Sequence, residues 1–326
     1  MRIIVTGSVA YDYLMVFPGH FKEHIVADKL HTLSVSFLVE SMKKQRGGTA
    51  ANIAFNLALL GEQPEVVATV GEDFGDYRAW LEQQGVNTRS IAVVPGEFTS
   101  SCFINTDLED NQIIAFYPGA MSQAHTLHLD NHGLTSEDLV IISPNDPLAM
   151  ANYAAECIRL GIPYLYDPSM QMPRMQAAEL RAGFAGARIL AGNDYEFGMM
   201  AEKLGMSEAD LYQSVPFCVV TKGEAGSSIF ADGQEYIIPA AKPREVINPT
   251  GAGDAFRAGL VKGIANGLPW ATCGRIAALT AVYAIEHAGP QQHAYTQAEF
   301  LARYRENFGS DAAVEALFEK PVAVSY

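Results

Sequence analysis

Blocks of continuous apolar residues alternate along the chain with blocks in which apolar residues recur every three to four positions. Residues 2–6 form a near-continuous apolar run, the pattern of a strand buried on both faces of a parallel sheet. Residues 65–70, 139–143, 164–166, 188–191 and 217–221 read as further strands, and 227–230 with 235–238 as a meander. Between them the period becomes helical. Ile53, Ala54, Leu57, Ala58 and Leu60 share one face and stop at Gly61, and helices follow at 73–84, 149–160, 255–264 and 269–287. Alternating strands and helices of this kind build a doubly wound α/β domain with a mostly parallel sheet.

Five segments break the rhythm. Residues 14–17, 33–37, 39–44 and 99–105 are short apolar strands, and 99–105 joins 112–117 through the acidic turn at 107–111. No crossover helix separates the members of each pair. They are expected to form a small antiparallel lid, about 13–46 and 99–118, inserted into one domain spanning 1–326.

Composition narrows the partners. A formal charge of −15 and a pI of about 4.9 argue against a nucleic-acid backbone or an anionic membrane surface. They leave room for an anionic small molecule, because a local nest of amides binds phosphate inside an acidic protein. The cysteines at 102, 157, 218 and 273 have no metal-ligand spacing and read as reduced core residues. Residues 1–7 are too short for a signal peptide and no apolar stretch reaches the length of a membrane span, so a cytoplasmic protein is expected. There is no G-x-x-x-x-G-K-[ST] phosphate loop, and no G-x-G-x-x-G follows the first strand.

The chemistry concentrates at Ile247-Asn248-Pro249-Thr250-Gly251-Ala252-Gly253-Asp254-Ala255-Phe256, a loop that becomes a helix. Its glycines admit a ligand to the main chain, and unpaired amides at a helix start attract phosphate. Asp254 is out of place in a phosphate cradle. It is either a helix cap or a base that takes a proton from an attacking hydroxyl. Asp12 lies just past the first strand, where open α/β sheets bind ligands, and is a turn residue or a ligand contact. Gly47-Gly48 before a helix carrying Asn52, and Asn193 three residues before Glu196, are helix starts as well as candidate contacts.

Thr250-Gly251-Ala252-Gly253-Asp254-Ala255-Phe256 resembles the C-terminal signature of the ribokinase-like (PfkB) family of sugar and nucleoside kinases, and Arg257 is most like its bacterial, adenosine-type nucleoside kinases. Gly47-Gly48 with Asn52 resembles the family's first signature. The resemblance implies an ATP-dependent kinase with Asp254 as catalytic base and Gly251, Ala252 and Gly253 as the anion hole. It implies Asp12, Gly47, Gly48, Asn52 and Asn145 as substrate contacts, with Phe37 and Phe116, and Tyr117 beside them, as lid aromatics for a base or as lid core. Asn193, Thr221, Lys222, Gly223, Gly226, Ala288 and Gly289 would lie along the nucleotide, and Glu196 with Asn193 would hold Mg²⁺ through water. Asn248 stands where the family often has Asp, which puts K⁺ dependence in doubt. The acceptor implied is the 5′-hydroxyl of adenosine or a related purine nucleoside. Ser34, Ser36, Ser41 and Asn105 keep a ribose- or fructose-type kinase open, and a non-catalytic nucleotide or sugar sensor is the alternative of another class. The resemblance also implies a monomer or a homodimer through the lid.

Overall fold

The computed structural model describes residues 1–25, 27–32 and 34–318. Among the described residues, nine strands form the main sheet: β1 (Ile3–Thr6), β4 (Glu65–Val70), β5 (Ile91–Val93), β8 (Leu139–Ile142), β9 (Tyr164–Tyr166), β10 (Ile189–Asn193), β11 (Phe217–Thr221), β12 (Ser227–Ala231) and β13 (Gln234–Ile238). Their spatial order is β13-β12-β11-β10-β9-β8-β1-β4-β5, parallel except for the β11–β12 and β12–β13 pairs. Side chains alternate through the strands, as the two-residue strand period requires. Ile3 and Val5 join one buried cluster with Ile53, Leu57 and Leu260, while Ile4 joins another with Met150, Tyr153 and Phe197 on the opposite face. Helices therefore cover both sides.

From β1 the chain builds outward through β4 to β5, then returns to the other side of β1 with β8. The strand order reverses there, and a crevice opens at such a point. Ser8 donates its amide to the Pro144 carbonyl across the gap at 2.9 Å. The Thr49–Leu59 helix is seated on the same residue: Ser8 Oγ accepts from the Thr49 amide at 3.0 Å and the Ser8 carbonyl from the Ala50 amide at 3.0 Å. Gly48 makes this approach possible. Its φ is +92°, and a Cβ there would lie 2.6 Å from the Ser8 carbonyl oxygen and the Ala10 amide nitrogen.

The Ala252–Ala265 helix packs against the Trp270–Ile285 helix through missing side chains. A Cβ at Gly259 would lie 2.6 Å from Ala277 Cα, and one at Gly263 2.8 Å from Cys273 Cα.

A second sheet, in the order β3-β2-β6-β7, stands beside the first: β2 (Ala10–Val16), β3 (Ser41–Gly47), β6 (Ser100–Thr106) and β7 (Gln112–Tyr117). Its outer pairs are antiparallel, but the central β2–β6 pair is parallel. The strand expected at 33–37 does not form: Leu33 lies outside the described residues, and 34–39 carry no regular structure. Phe37 instead packs against Phe17, Phe21 and His24, with ring centroids 4.9–5.9 Å apart. Cys157, Cys218 and Cys273 are buried, Cys102 is partly so, and all four are free. No helix among the described residues is long and apolar enough to cross a membrane.

Gly48→Ala should cost about 2 kcal/mol or more, because it combines a disfavoured φ with a backbone overlap. A urea-unfolding midpoint that moves by less than about 0.5 kcal/mol in equivalent stability would contradict this seating.

Candidate functional site

At the C-terminal ends of β1, β8, β10 and β11, beneath the small sheet, lies a cleft of about 910 Å³. Asp12, Gly48, Asn52, Phe116, Asn193, Glu196, Thr221, Gly223, Gly251, Ala252, Gly253 and Asp254 all line it. Residues up to 242 positions apart in sequence thus meet in one space.

Asp254 does not cap its helix. The cap is Gly251, in the left-handed region at φ 84° with no side-chain bond, and Asp254 sits one turn in. Its Oδ2 accepts from Asn52 Nδ2 at 2.9 Å, across to the neighbouring helix. Burial raises its pKa; the Arg257 guanidinium and the Asn52 amide pull it back down, and the Glu196 carboxylate adds to the rise. The outcome is a carboxylate more basic than usual, held by the Asn52 amide and facing the Arg257 charge, a shift in the direction that suits a general base.

The loop before the helix is a turn in which the Ala252 amide donates to the Pro249 carbonyl at 3.1 Å. Among the described residues, the Gly251, Gly253 and Asp254 amides donate to no backbone carbonyl outside the helix. Ala252 is thus the member of the Gly-Ala-Gly run whose N–H is already engaged. Gly251 must be glycine for space as well as φ, since a Cβ would lie 2.4 Å from Pro290 Cβ. Gly253 leaves room for Arg257, whose guanidinium nitrogen would be 2.5 Å from a Cβ there.

Arg257 is the centre of charge. Its Nε lies 2.5 Å from Asp167 Oδ2, and both groups are buried. Burial raises the Asp167 carboxyl and Arg257 lowers it again, while Glu196 and Asp254 add repulsion. Three carboxylates thus share one guanidinium, a set that favours a further cation. Asn193 and Glu196 form the reciprocal capping box, 2.8 Å in each direction, and Glu196 Oε1 also accepts from Ser169 at 2.8 Å. The cap and the cleft-facing carboxylate are the same residue. Among the described residues no group of three or more His, Cys, Asp or Glu is placed to cage a metal. One carboxylate beside an amide oxygen suits Mg²⁺, which keeps most of its waters and takes phosphate oxygens.

At the lid end, no protein donor among the described residues bonds the Asp12 carboxylate, and burial pushes its pKa up to about 6. Gly47 makes room for it: a Cβ would lie 2.5 Å from Asp12 Oδ2. The Gly47 carbonyl itself accepts from the Tyr77 hydroxyl at 2.9 Å and faces away from the cleft.

Several expected contacts stand elsewhere. Phe37 lies in the aromatic cluster described above, and Tyr117 bonds Glu97 at 3.0 Å outside the cleft. Asn145 is buried behind Pro144, its Oδ1 accepting from the Asp146 amide at 2.8 Å. Lys222 turns away to Ser228, 2.6 Å from its hydroxyl, and Gly226 closes that loop against the Ile238 carbonyl. Ala288 and Gly289 lie beneath the loop: the Ala288 carbonyl accepts from Asn248 Nδ2 at 2.9 Å, and Gly289 fits against Gln45. In return the cleft holds residues that local sequence pattern does not single out, namely Cys102, Ile104, Met121, Ser169 and Arg174.

Residues 6–297 match the model of the pfkB family of carbohydrate kinases. The chain belongs to that family. Among its relatives, a nucleoside kinase of Methanothermobacter thermautotrophicus is 30% identical over 96% of this chain and 98% of its own length. The structure of Burkholderia thailandensis nucleoside kinase in complex with inosine superposes with a TM-score of 0.86 at 36% identity, covering 95% of this chain and 99% of that one. The same enzyme in complex with ADP-inosine gives 0.83 at 38% identity, over 95% and 97% of the two chains. As a pfkB-family enzyme, the protein is a phosphotransferase with an alcohol as acceptor.

The raised Asp12 carboxyl has a consequence for stability. Its folded pKa of about 6 exceeds the ordinary 3.8, so between these values the unfolded chain releases the proton first and rising pH favours unfolding. Asp12→Asn should therefore match wild type near pH 4, gain on it between about pH 4 and pH 6, and be more stable by about 3 kcal/mol at pH 8. Thermal unfolding across that range checks the sign; a variant gain that shrinks with pH would contradict it.

Proposed function

We propose that the enzyme transfers the γ-phosphoryl group of ATP to the 5′-hydroxyl of a purine nucleoside such as adenosine. One observation carries this reading: a single cleft joins an unpaired carboxylate under an apolar lid to a second carboxylate at a glycine-rich helix start. The free Asp12 oxygens would accept both hydroxyls of a vicinal ribose diol. Cys102, Ile104, Phe116 and Met121 line the lid side of the cleft and offer the apolar wall that a base needs. Ser34, Ser36, Ser41 and Asn105, which a free sugar would recruit for its remaining hydroxyls, line no part of it. The inosine complex of the Burkholderia relative agrees with this choice.

In the reaction, Asp254 takes the proton as the 5′-oxygen attacks the γ-phosphorus, and ADP leaves. Asn52 holds Oδ2, which leaves Oδ1 to face the acceptor. The Gly251 and Gly253 amides and Arg257 stabilise charge on the transferring group. Glu196 and Asn193 would hold Mg²⁺ through its waters, and that ion would neutralise the β- and γ-phosphates. Both ends of the Asn248 amide are bonded, to the Ala288 carbonyl and the Thr250 amide, each at 2.9 Å, so we assign it no K⁺. We place the enzyme in the cytoplasm. Two copies would meet through the exposed apolar residues of β7, Ile113 and Ile114.

Asp254→Asn should keep substrate binding and lower kcat by about 10²-fold or more. Steady-state kcat/KM for adenosine, inosine, ribose and fructose tests the acceptor. The nucleosides should lead. If ribose or fructose outcompetes both, the nucleoside assignment is wrong and the kinase assignment stands.

A further inference from the structure

Behind the cleft runs a chain of hydrogen bonds with no freedom of direction. The Tyr77 hydroxyl donates to the Gly47 carbonyl at 2.9 Å. That carbonyl only accepts, and the phenol has one proton, so the Tyr77 oxygen can bond its other neighbour only as an acceptor. The neighbour is Gln291 Nε2 at 2.6 Å. The second proton of the same nitrogen goes to Asn52 Oδ1 at 2.7 Å. The Asn52 nitrogen must then face Asp254, as it does at 2.9 Å. A backbone carbonyl three side chains away thus decides which end of an amide meets Asp254.

The setting adds weight. Tyr77, Asn52 and Gln291 are 0%, 5% and 6% exposed. The Gln291 Oε1 is buried without a partner, a cost that leucine or methionine would avoid. What glutamine adds at this position is the two-proton donor.

We propose that Gln291 and Tyr77 form a positioning relay that locks the Asn52 amide with its nitrogen toward Asp254, and so keeps that carboxylate ionised and aimed at the acceptor hydroxyl. This rests on the reading of Asp254 as the base. With the amide reversed, Asn52 Oδ1 would meet Asp254 Oδ2, acceptor against acceptor, and the carboxylate would hold its proton to higher pH. The other charged groups facing Asp254 are Arg257 on its own helix, Glu196 on the Asp194–Leu204 helix and Asp167 at the end of β9. None is bonded to the relay, so its loss leaves their contributions in place.

Single-turnover phosphoryl transfer from ATP to adenosine, with Mg²⁺ and across pH 5 to 9, tests the relay in Gln291→Leu, Gln291→Glu and Tyr77→Phe, with Asp254→Asn as reference. Gln291→Leu should slow transfer about tenfold and move the acid limb up by about half a pH unit or more, while the adenosine KM stays within about threefold. Gln291→Glu, which accepts from Asn52 and reverses the amide, should do more. Tyr77→Phe keeps the ring packed and should act in the same direction more weakly, so it decides the matter if the Gln291 variants fail to fold. Folded variants with a wild-type rate and acid limb, or with a loss confined to KM, would overturn the relay. An inactive Asp254→Asn beside unaffected relay variants removes the relay alone. An Asp254→Asn with wild-type rate removes the base assignment and the relay with it.

Discussion

Arg257 has to satisfy three acids from three separate elements, and the site is built around that constraint. Asp167 arrives at the end of β9, Glu196 from the first turn of the helix after β10, and Asp254 from the Ala252–Ala265 helix that also carries Arg257. Removing one partner from such a buried set leaves uncompensated charge, typically worth 3–5 kcal/mol, so the cluster tolerates little variation. Its geometry reaches outward. The guanidinium lies where a side chain on Gly253 would sit, and Gly251 must turn left-handed against Pro290 to start the helix at that point. The glycines of the signature are therefore spacers for a cation and a turn as much as an opening for phosphate.

The sheet was readable from period alone because its strands are buried on both faces and read as unbroken apolar runs. Residues 65–70, 164–166 and 217–221 match β4, β9 and β11 to the residue. Failures fall where burial is one-sided or set by distant contacts. Of the strand expected at 33–37, residues 34–37 carry no regular structure: exposed and half-buried residues alternate there and Phe37 packs into a local aromatic cluster instead of a ladder. The β2–β6 pairing is parallel although the small sheet reads as hairpins, because register between segments so far apart leaves no local mark. The Gln297–Phe308 helix goes unread even though Thr296 and Glu299 spell its capping box in the sequence.

In the site, the legible residues are those whose type is odd for its place. An aspartate in a phosphate cradle and a paired asparagine and glutamate at a helix start can be questioned from sequence, and both questions resolve in the structure: Asp254 bonds across to Asn52, while Asn193 and Glu196 cap a helix and line the cleft together. Gln291, Tyr77 and Asp167 could not be weighed in this way. Their roles depend on contacts over 239, 30 and 90 positions, and none breaks the pattern of its own segment. Lys222 shows the converse, since a lysine in a glycine-rich loop invites a phosphate role while its amine is bonded to Ser228.

A formal charge of −15 stands against a substrate as anionic as ATP, and magnitudes decide which matters. Charges beyond a Debye length of about 8 Å are largely screened at physiological salt, so the distant acidic surface acts mainly on the rate of encounter. Inside the cleft the balance is local. On the proposed reading, helix-start amides and a guanidinium would face the phosphates at short range and low dielectric, where each counts for far more than a screened surface carboxylate. Glu196 and Asp167 remain a local repulsion that Arg257 alone does not cancel. Under the proposed function, that surplus negative charge would make a cation part of the binding step for the nucleotide, because phosphate enters such a site at lower cost when Mg²⁺ comes with it. The same surplus would discourage a bare polyanion, so on that reading the acidity that looks like an obstacle would favour the metal-bound form of the donor.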